Sequence, residues 1–137
     1  MILLYPLFIS SALQETNINS CQDKNVFKIK KFEMTSPNIP RAGTLSFSFY
    51  AELTYQIENP FLEIQVLSED NRIPVFRIRD TLCRDNVLRC PASFSPVLYK
   101  NQIHLPATLN PGSYILRFTF REGKQTISCY EKSFQQL

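Results

Sequence analysis

The sequence predicts an all-β fold, a two-sheet β-sandwich of about seven strands, and three observations carry that expectation. Leu45, Phe47, Phe49, Ala51, Leu53 and Tyr55 alternate with Thr44, Ser46, Ser48, Tyr50, Glu52 and Thr54. Only a strand sorts a period of two onto opposite faces. Tyr114, Leu116, Phe118 and Phe120 oppose Ser113, Arg117, Thr119 and Arg121 in the same way, with Ile115 the one apolar exception. Nine prolines punctuate the 137 residues, which suits many short strands better than long helices.

The remaining elements follow in order. VFKIKKFEM carries Phe27 and Ile29 in one phase, then Phe32 and Met34 in the other, a phase switch that suggests a bulge. FLEIQVL places Leu62, Ile64 and Val66 on one side. RIPVFRIR contains Pro74, so it is expected at an edge or broken. QIHLP reads as a short strand, and KQTISCYEKSF closes the chain. Turns fall at Ser36-Pro37-Asn38-Ile39-Pro40, at Asn59-Pro60 and at Asn110-Pro111-Gly112. Arg121-Glu122-Gly123-Lys124 reads as a tight hairpin with Gly123 at positive φ.

Composition narrows the function classes. Hydrophobic residues make up 44% and charged residues 20%, the proportions of an ordinary globular protein. The net charge is +3, and no basic run stands out beyond Lys28, Lys30 and Lys31. Nucleic-acid binding shows a stronger basic footprint, so no nucleic-acid partner is expected. The opening MILLYPLFISSA is apolar, uncharged in its side chains and too short to span a bilayer. With small residues Ser10, Ser11 and Ala12 near its end, it reads as a secretory signal over residues 1–13. A single domain then occupies 14–137.

Four cysteines behind a leader suggest two disulfides. Of three possible pairings, Cys21–Cys129 and Cys83–Cys90 are expected. Cys83 and Cys90 bracket the short polar loop RDNVLR, and Cys21 ties the start of the domain to its last strand. The spacings contain no C-x-x-C pair, and the single histidine, His104, lies far from both ends, so no metal site is expected. No nucleophile motif accompanies His104 and no Gly-rich phosphate loop is present, so neither a catalytic set nor a cofactor is expected.

The informative feature is the aromatic load on the inward faces, carried by Phe47, Phe49, Phe76, Tyr114, Phe118 and Phe120. These side chains fit either a filled core or the wall of a cavity between the sheets. Periodicity does not choose, because both walls alternate alike.

Several stretches in order resemble the ML lipid-recognition family, which includes Niemann–Pick type C sterol carriers and fungal phosphatidylglycerol/phosphatidylinositol transfer proteins. Cys21 precedes a strand leading to SPNIPRAGTLSFSF; DTLCRDNVLRCP, HLPATLNPGSYILRFTF and ISCYEKSF follow. The likeness spans residues 21 to 134. Many animal members carry a further disulfide near the Ser-Pro turn, where Asn38 and Ile39 stand here, so the fungal and plant-like members are more similar.

That resemblance implies an immunoglobulin-like sandwich holding one sterol or phospholipid between its sheets. The implied cavity wall is Phe47, Phe49, Leu53, Ile64, Tyr114, Leu116 and Phe118. The implied portal is Pro74, Phe76 and Ile78 before the cysteine loop, and Pro91, Phe94, Leu98 and Tyr99 after it. Arg72, Arg77, Arg79, Arg84 and Arg89 cluster around it in sequence, which suits transient contact with an anionic membrane surface. The expected setting is secreted or within a vacuole or lysosome lumen, as a monomer. The competing class is a secreted immunoglobulin-like interaction module with a filled core that binds a protein partner or presents a ligand to a receptor.

Overall fold

The protein, seen in a computed structural model, is described over residues 12–137. Residues 1–11 of the expected leader lie outside that range, and Ala12 and Leu13 precede the first strand. In chain order the strands are β1 Gln14–Thr16, β2 Asn19–Ser20, β3 Phe27–Met34, β4 Asn38–Ile39, β5 Thr44–Leu53, β6 Gln56–Ile57, β7 Pro60–Ser68, β8 Pro74–Thr81, β9 Ala92–Ser93, β10 Pro96–His104, β11 Gly112–Glu122 and β12 Gln125–Gln136. Seven of them (β3, β5, β7, β8, β10, β11 and β12) have eight or more residues. These seven build the sandwich that the alternation predicts.

Four strands form one sheet in the order β1-β3-β5-β10. The other runs β2-β12-β11-β7-β8, with β4 alongside β12, and β6-β9 make a separate ribbon. Every pairing is antiparallel except β4 with β12.

Local chemistry explains the details. The phase switch in β3 is a register shift between Ile29 and Lys31; the extra residue turns Phe32 and Met34 onto the core side occupied by Phe27. Pro74 begins β8, which pairs only with β7 and so forms a sheet edge, where a missing N–H breaks no ladder. Gly123 turns the β11–β12 hairpin at φ 62°, a conformation a Cβ disfavours.

Two expectations need correcting. The short strand at QIHLP is the end of a nine-residue strand, β10. Its inward row is Val97, Tyr99, Asn101 and Ile103, and the polar Asn101 breaks the apolar alternation that would reveal it. Tyr55 leaves the inward row of β5, because the strand stops at Leu53 and the ring is exposed.

The core lies between the sheets. Leu45, Phe47, Phe49, Ala51 and Leu53 of β5 meet Leu62, Ile64 and Val66 of β7 and Tyr114, Leu116, Phe118 and Phe120 of β11, all buried. Their rings touch across the gap: Phe118 lies 5.0 Å from Phe47 and 5.6 Å from Phe49, while Phe27 stacks on Phe120 at 4.8 Å. Such pairs add about 0.5–1.5 kcal/mol each beyond the area they bury. Both expected disulfides, Cys21–Cys129 and Cys83–Cys90, are formed.

Candidate functional site

A sandwich has two long edges where its sheets meet, and here they are built differently. Along the β3/β12 edge the sheets are joined by backbone and side-chain bonds together. Val26 N–H donates to the Ile127 carbonyl (3.0 Å), Phe27 N–H to Ser128 Oγ (2.8 Å), and the Tyr130 hydroxyl to the Phe27 carbonyl (2.9 Å). Cys129 N–H donates to Asn25 Oδ1 (2.9 Å) and Lys132 Nζ to Thr16 Oγ1 (2.8 Å). The Cys21–Cys129 disulfide lies beside them.

The opposite edge sets β8 of the larger sheet against β10 of the smaller one. Among the described residues a single hydrogen bond joins these two strands: the Tyr99 hydroxyl donates to Asp80 Oδ2 at 2.7 Å. Asn101 Nδ2 donates to the same hydroxyl at 2.9 Å, and Asn101 Oδ1 accepts from Gln102 N–H at 2.7 Å, which fixes the amide. Arg84 Nη2 donates to Asp80 Oδ2 at 3.1 Å. Tyr99 is 0% exposed. Burial, then the hydrogen bond to Asp80, pushes its hydroxyl well above the usual tyrosine range. A bond to a charged acceptor contributes about 1.5–3 kcal/mol, so this contact is a modest clasp on an otherwise apolar seam.

Sequence places the polar group here by phase. Phe76, Ile78 and Asp80 share the inward row of β8, and Tyr99 and Asn101 that of β10. Sequence reasoning misses Asp80 and Asn101, because a polar residue in an apolar row reads as loop. The alternation Val97, Tyr99, Asn101, Ile103 is the signal that could have found them.

The seven wall candidates, Phe47, Phe49, Leu53, Ile64, Tyr114, Leu116 and Phe118, all belong to one buried cluster. The portal candidates divide. Pro74, Phe76 and Ile78 lie on β8, with Phe76 and Ile78 half-buried against the core. Tyr99 enters the core from β10, while its neighbour Leu98, 53% exposed, faces solvent, since adjacent strand residues point opposite ways. Pro91 follows Cys90 and is exposed. Phe94, 78% exposed with φ 49°, flanks a groove of about 490 Å³ with Tyr55 and Ile57 at the end of the sandwich.

The arginines mostly face the outer side of the larger sheet. Arg77 pairs with Glu63, Arg72 and Arg117 share Glu131, and the Arg79 guanidinium sits 4.3 Å over the Phe61 ring. His104 is exposed, with Nδ1 2.7 Å from Thr44 Oγ1. Among the described residues no group of three His, Cys, Asp or Glu side chains is placed to hold a metal ion, and no helix is long and apolar enough to cross a membrane.

The family model of the ML domain matches residues 15–136. The chain belongs to the ML domain family. A Niemann-Pick type C2 protein from the Japanese carpenter ant superposes on this ML domain with a TM-score of 0.71, at 17% identity, over 89% of this chain and 100% of that one. The C-terminal domain of wzt superposes with a TM-score of 0.59, at 13% identity, over 93% of this chain and 81% of that one. At such identities the likeness speaks for the fold, which by itself leaves function to the site. No curated protein sequence matches the chain.

Proposed function

We propose that this ML domain binds one lipid, a sterol or a phospholipid, between its sheets and carries it outside the cytosol. The supporting observation is the contrast between the two edges: one sealed by several bonds and a disulfide, the other, among the described residues, by the Tyr99–Asp80 hydrogen bond alone. Such a sandwich parts like a book hinged at β3/β12. Parting at β8/β10 separates Phe76 and Ile78 from the β10 side and gives an apolar tail a path to Phe47, Phe49 and Phe118. The tail then packs against these rings in place of the rings of the opposite sheet. A lipid hiding roughly 400 Å² of apolar surface gains on the order of 10 kcal/mol at about 25 cal/mol per Å², and association and ordering costs remove much of that. The remainder suits a carrier that both loads and releases.

In this reading residues 1–13 act as a leader and the protein works in a secreted, vacuolar or lysosomal setting. It is a monomer that touches membrane surfaces transiently. The work is binding, with no bond made or broken.

A second reading has an observation of its own. The inward rings already touch across the sheets, as they would in a filled interaction module that recognises a protein partner. Native mass spectrometry of protein purified from its own expression host separates the two. A co-purifying lipid at one per chain is expected for the carrier. A bare mass, persisting after incubation with mixed sterol and phospholipid vesicles, decides for the module.

A further inference from the structure

Three buried tyrosines reach the core, and their hydroxyls are satisfied differently. Tyr114 donates to the Asn110 carbonyl at 2.6 Å and Tyr130 to the Phe27 carbonyl at 2.9 Å. Both acceptors are main chain, so both bonds hold the fold. Tyr99 donates instead to a side chain of the opposite sheet. The bond crosses the edge that has no backbone link among the described residues, and it can break without disturbing a ladder.

The acceptor is incompletely used. Asp80 Oδ2 takes both Tyr99 and Arg84, and no bond to Oδ1 is formed among the described residues. Asn101 uses its oxygen on Gln102 N–H and one amide hydrogen on Tyr99, leaving a second hydrogen. The cluster therefore offers an ionised acceptor and an amide donor at the border between core and solvent. Its formal charge is balanced, since Arg84 faces Asp80. A neutral hydroxyl matches both offers. A phosphate or carboxylate would place a second negative charge beside Asp80, and an ester or ether has no proton to give.

We propose that Asp80, Tyr99 and Asn101 form the head-group end of the lipid site and select a lipid whose polar end is an uncharged hydroxyl. This inference rests on the carrier reading above. The ligand hydroxyl donates to Asp80 and accepts from Asn101, while the tail lies between Phe76, Ile78 and the rings of β5. With the head group bound, the Tyr99–Asp80 clasp is no longer needed to close the edge, so loading and opening use the same residues.

The test is equilibrium binding of three tritiated probes with one tail, oleyl alcohol, oleyl methyl ether and oleate, to the whole chain at pH 7. The alcohol is expected to bind about tenfold or more tightly than either of the others, as a hydrogen bond to a charged group predicts. Asp80→Asn is expected to bring alcohol and ether within about twofold of each other. Equal binding of alcohol and ether to the unaltered chain overturns the head-group assignment and leaves the carrier reading standing. Oleate binding as tightly as the alcohol overturns the charge argument. Binding of none of the three overturns the carrier reading itself. The alcohol-to-ether ratio is read on the unaltered chain, so the outcome does not depend on how the variant folds.

Discussion

Burial and the hydrogen bond to Asp80 push the pKa of the Tyr99 hydroxyl well above the usual tyrosine range, and burial raises that of Tyr130. Both tyrosines thus keep their protons in the folded chain at pH values where the unfolded chain, titrating near 10.0, has lost them. The unfolded state then binds fewer protons, so the contribution of these two tyrosines to stability is constant below about pH 9 and falls as pH rises past 10. Each tyrosine held neutral contributes a loss of up to about 1.4 kcal/mol per pH unit. Urea unfolding at pH 9, 10 and 11 should show this decline, and Tyr99→Phe should make it shallower. An unchanged slope in that variant would show that Tyr99 titrates normally. Phe76 yields a second residue-scale expectation. Its ring is half-buried on an edge strand, so Phe76→Asp should keep the fold by circular dichroism while reducing lipid uptake from vesicles severalfold. Uptake equal to the parent's would move the mouth away from β8.

The two disulfides act on different elements. Cys83–Cys90 closes a loop of seven residues' separation in the connection from β8 to β10, whereas Cys21–Cys129 spans 108 and ties the segment after β2 to β12. Chain entropy assigns about 2.5 kcal/mol to the short loop and about 4.8 to the long one. Replacing Cys21 and Cys129 together by serine should therefore lower stability roughly twice as much as the same change at Cys83 and Cys90. Denaturant midpoints measure the ratio, and the reverse order would mean that native-state contacts outweigh loop closure. The element that was hardest to see in the sequence, β10, is also the one that carries Tyr99 and Asn101. Burial set Tyr99 against Asp80 of β8, a partner that no local pattern names, and Asn101 bonds to the same hydroxyl.

At the scale of the whole molecule, the two long edges of the sandwich differ in how they are bonded across the sheets. The backbone amides of Val26 and Phe27 donate to β12 and that of Cys129 to Asn25 Oδ1, while β8 and β10 each end their sheet. Amide hydrogen exchange should be slowest around Phe27, Ser128 and Tyr130 and fastest in β8 and β10 among the long strands. A bound lipid should slow β8 and β10 selectively. Uniform exchange along both edges would contradict the hinge.

By itself the sequence determined the strands whose rows alternate cleanly, β5, β7 and β11, because side-chain direction along a strand is a local property with period two. It also determined the bulge in β3, the edge position of Pro74, the hairpin at Gly123 and both disulfides, each signalled by residue type at short range or by cysteine position. Only the tertiary structure decided that β8 and β10 face each other, that Leu98 points to solvent while Tyr99 enters the core, and that Asp80 and Asn101 both bond to the Tyr99 hydroxyl. These facts depend on which sheet each strand joins, which is set by packing between residues far apart in the chain, and polar residues in an inward row erase the local signal that would have announced them.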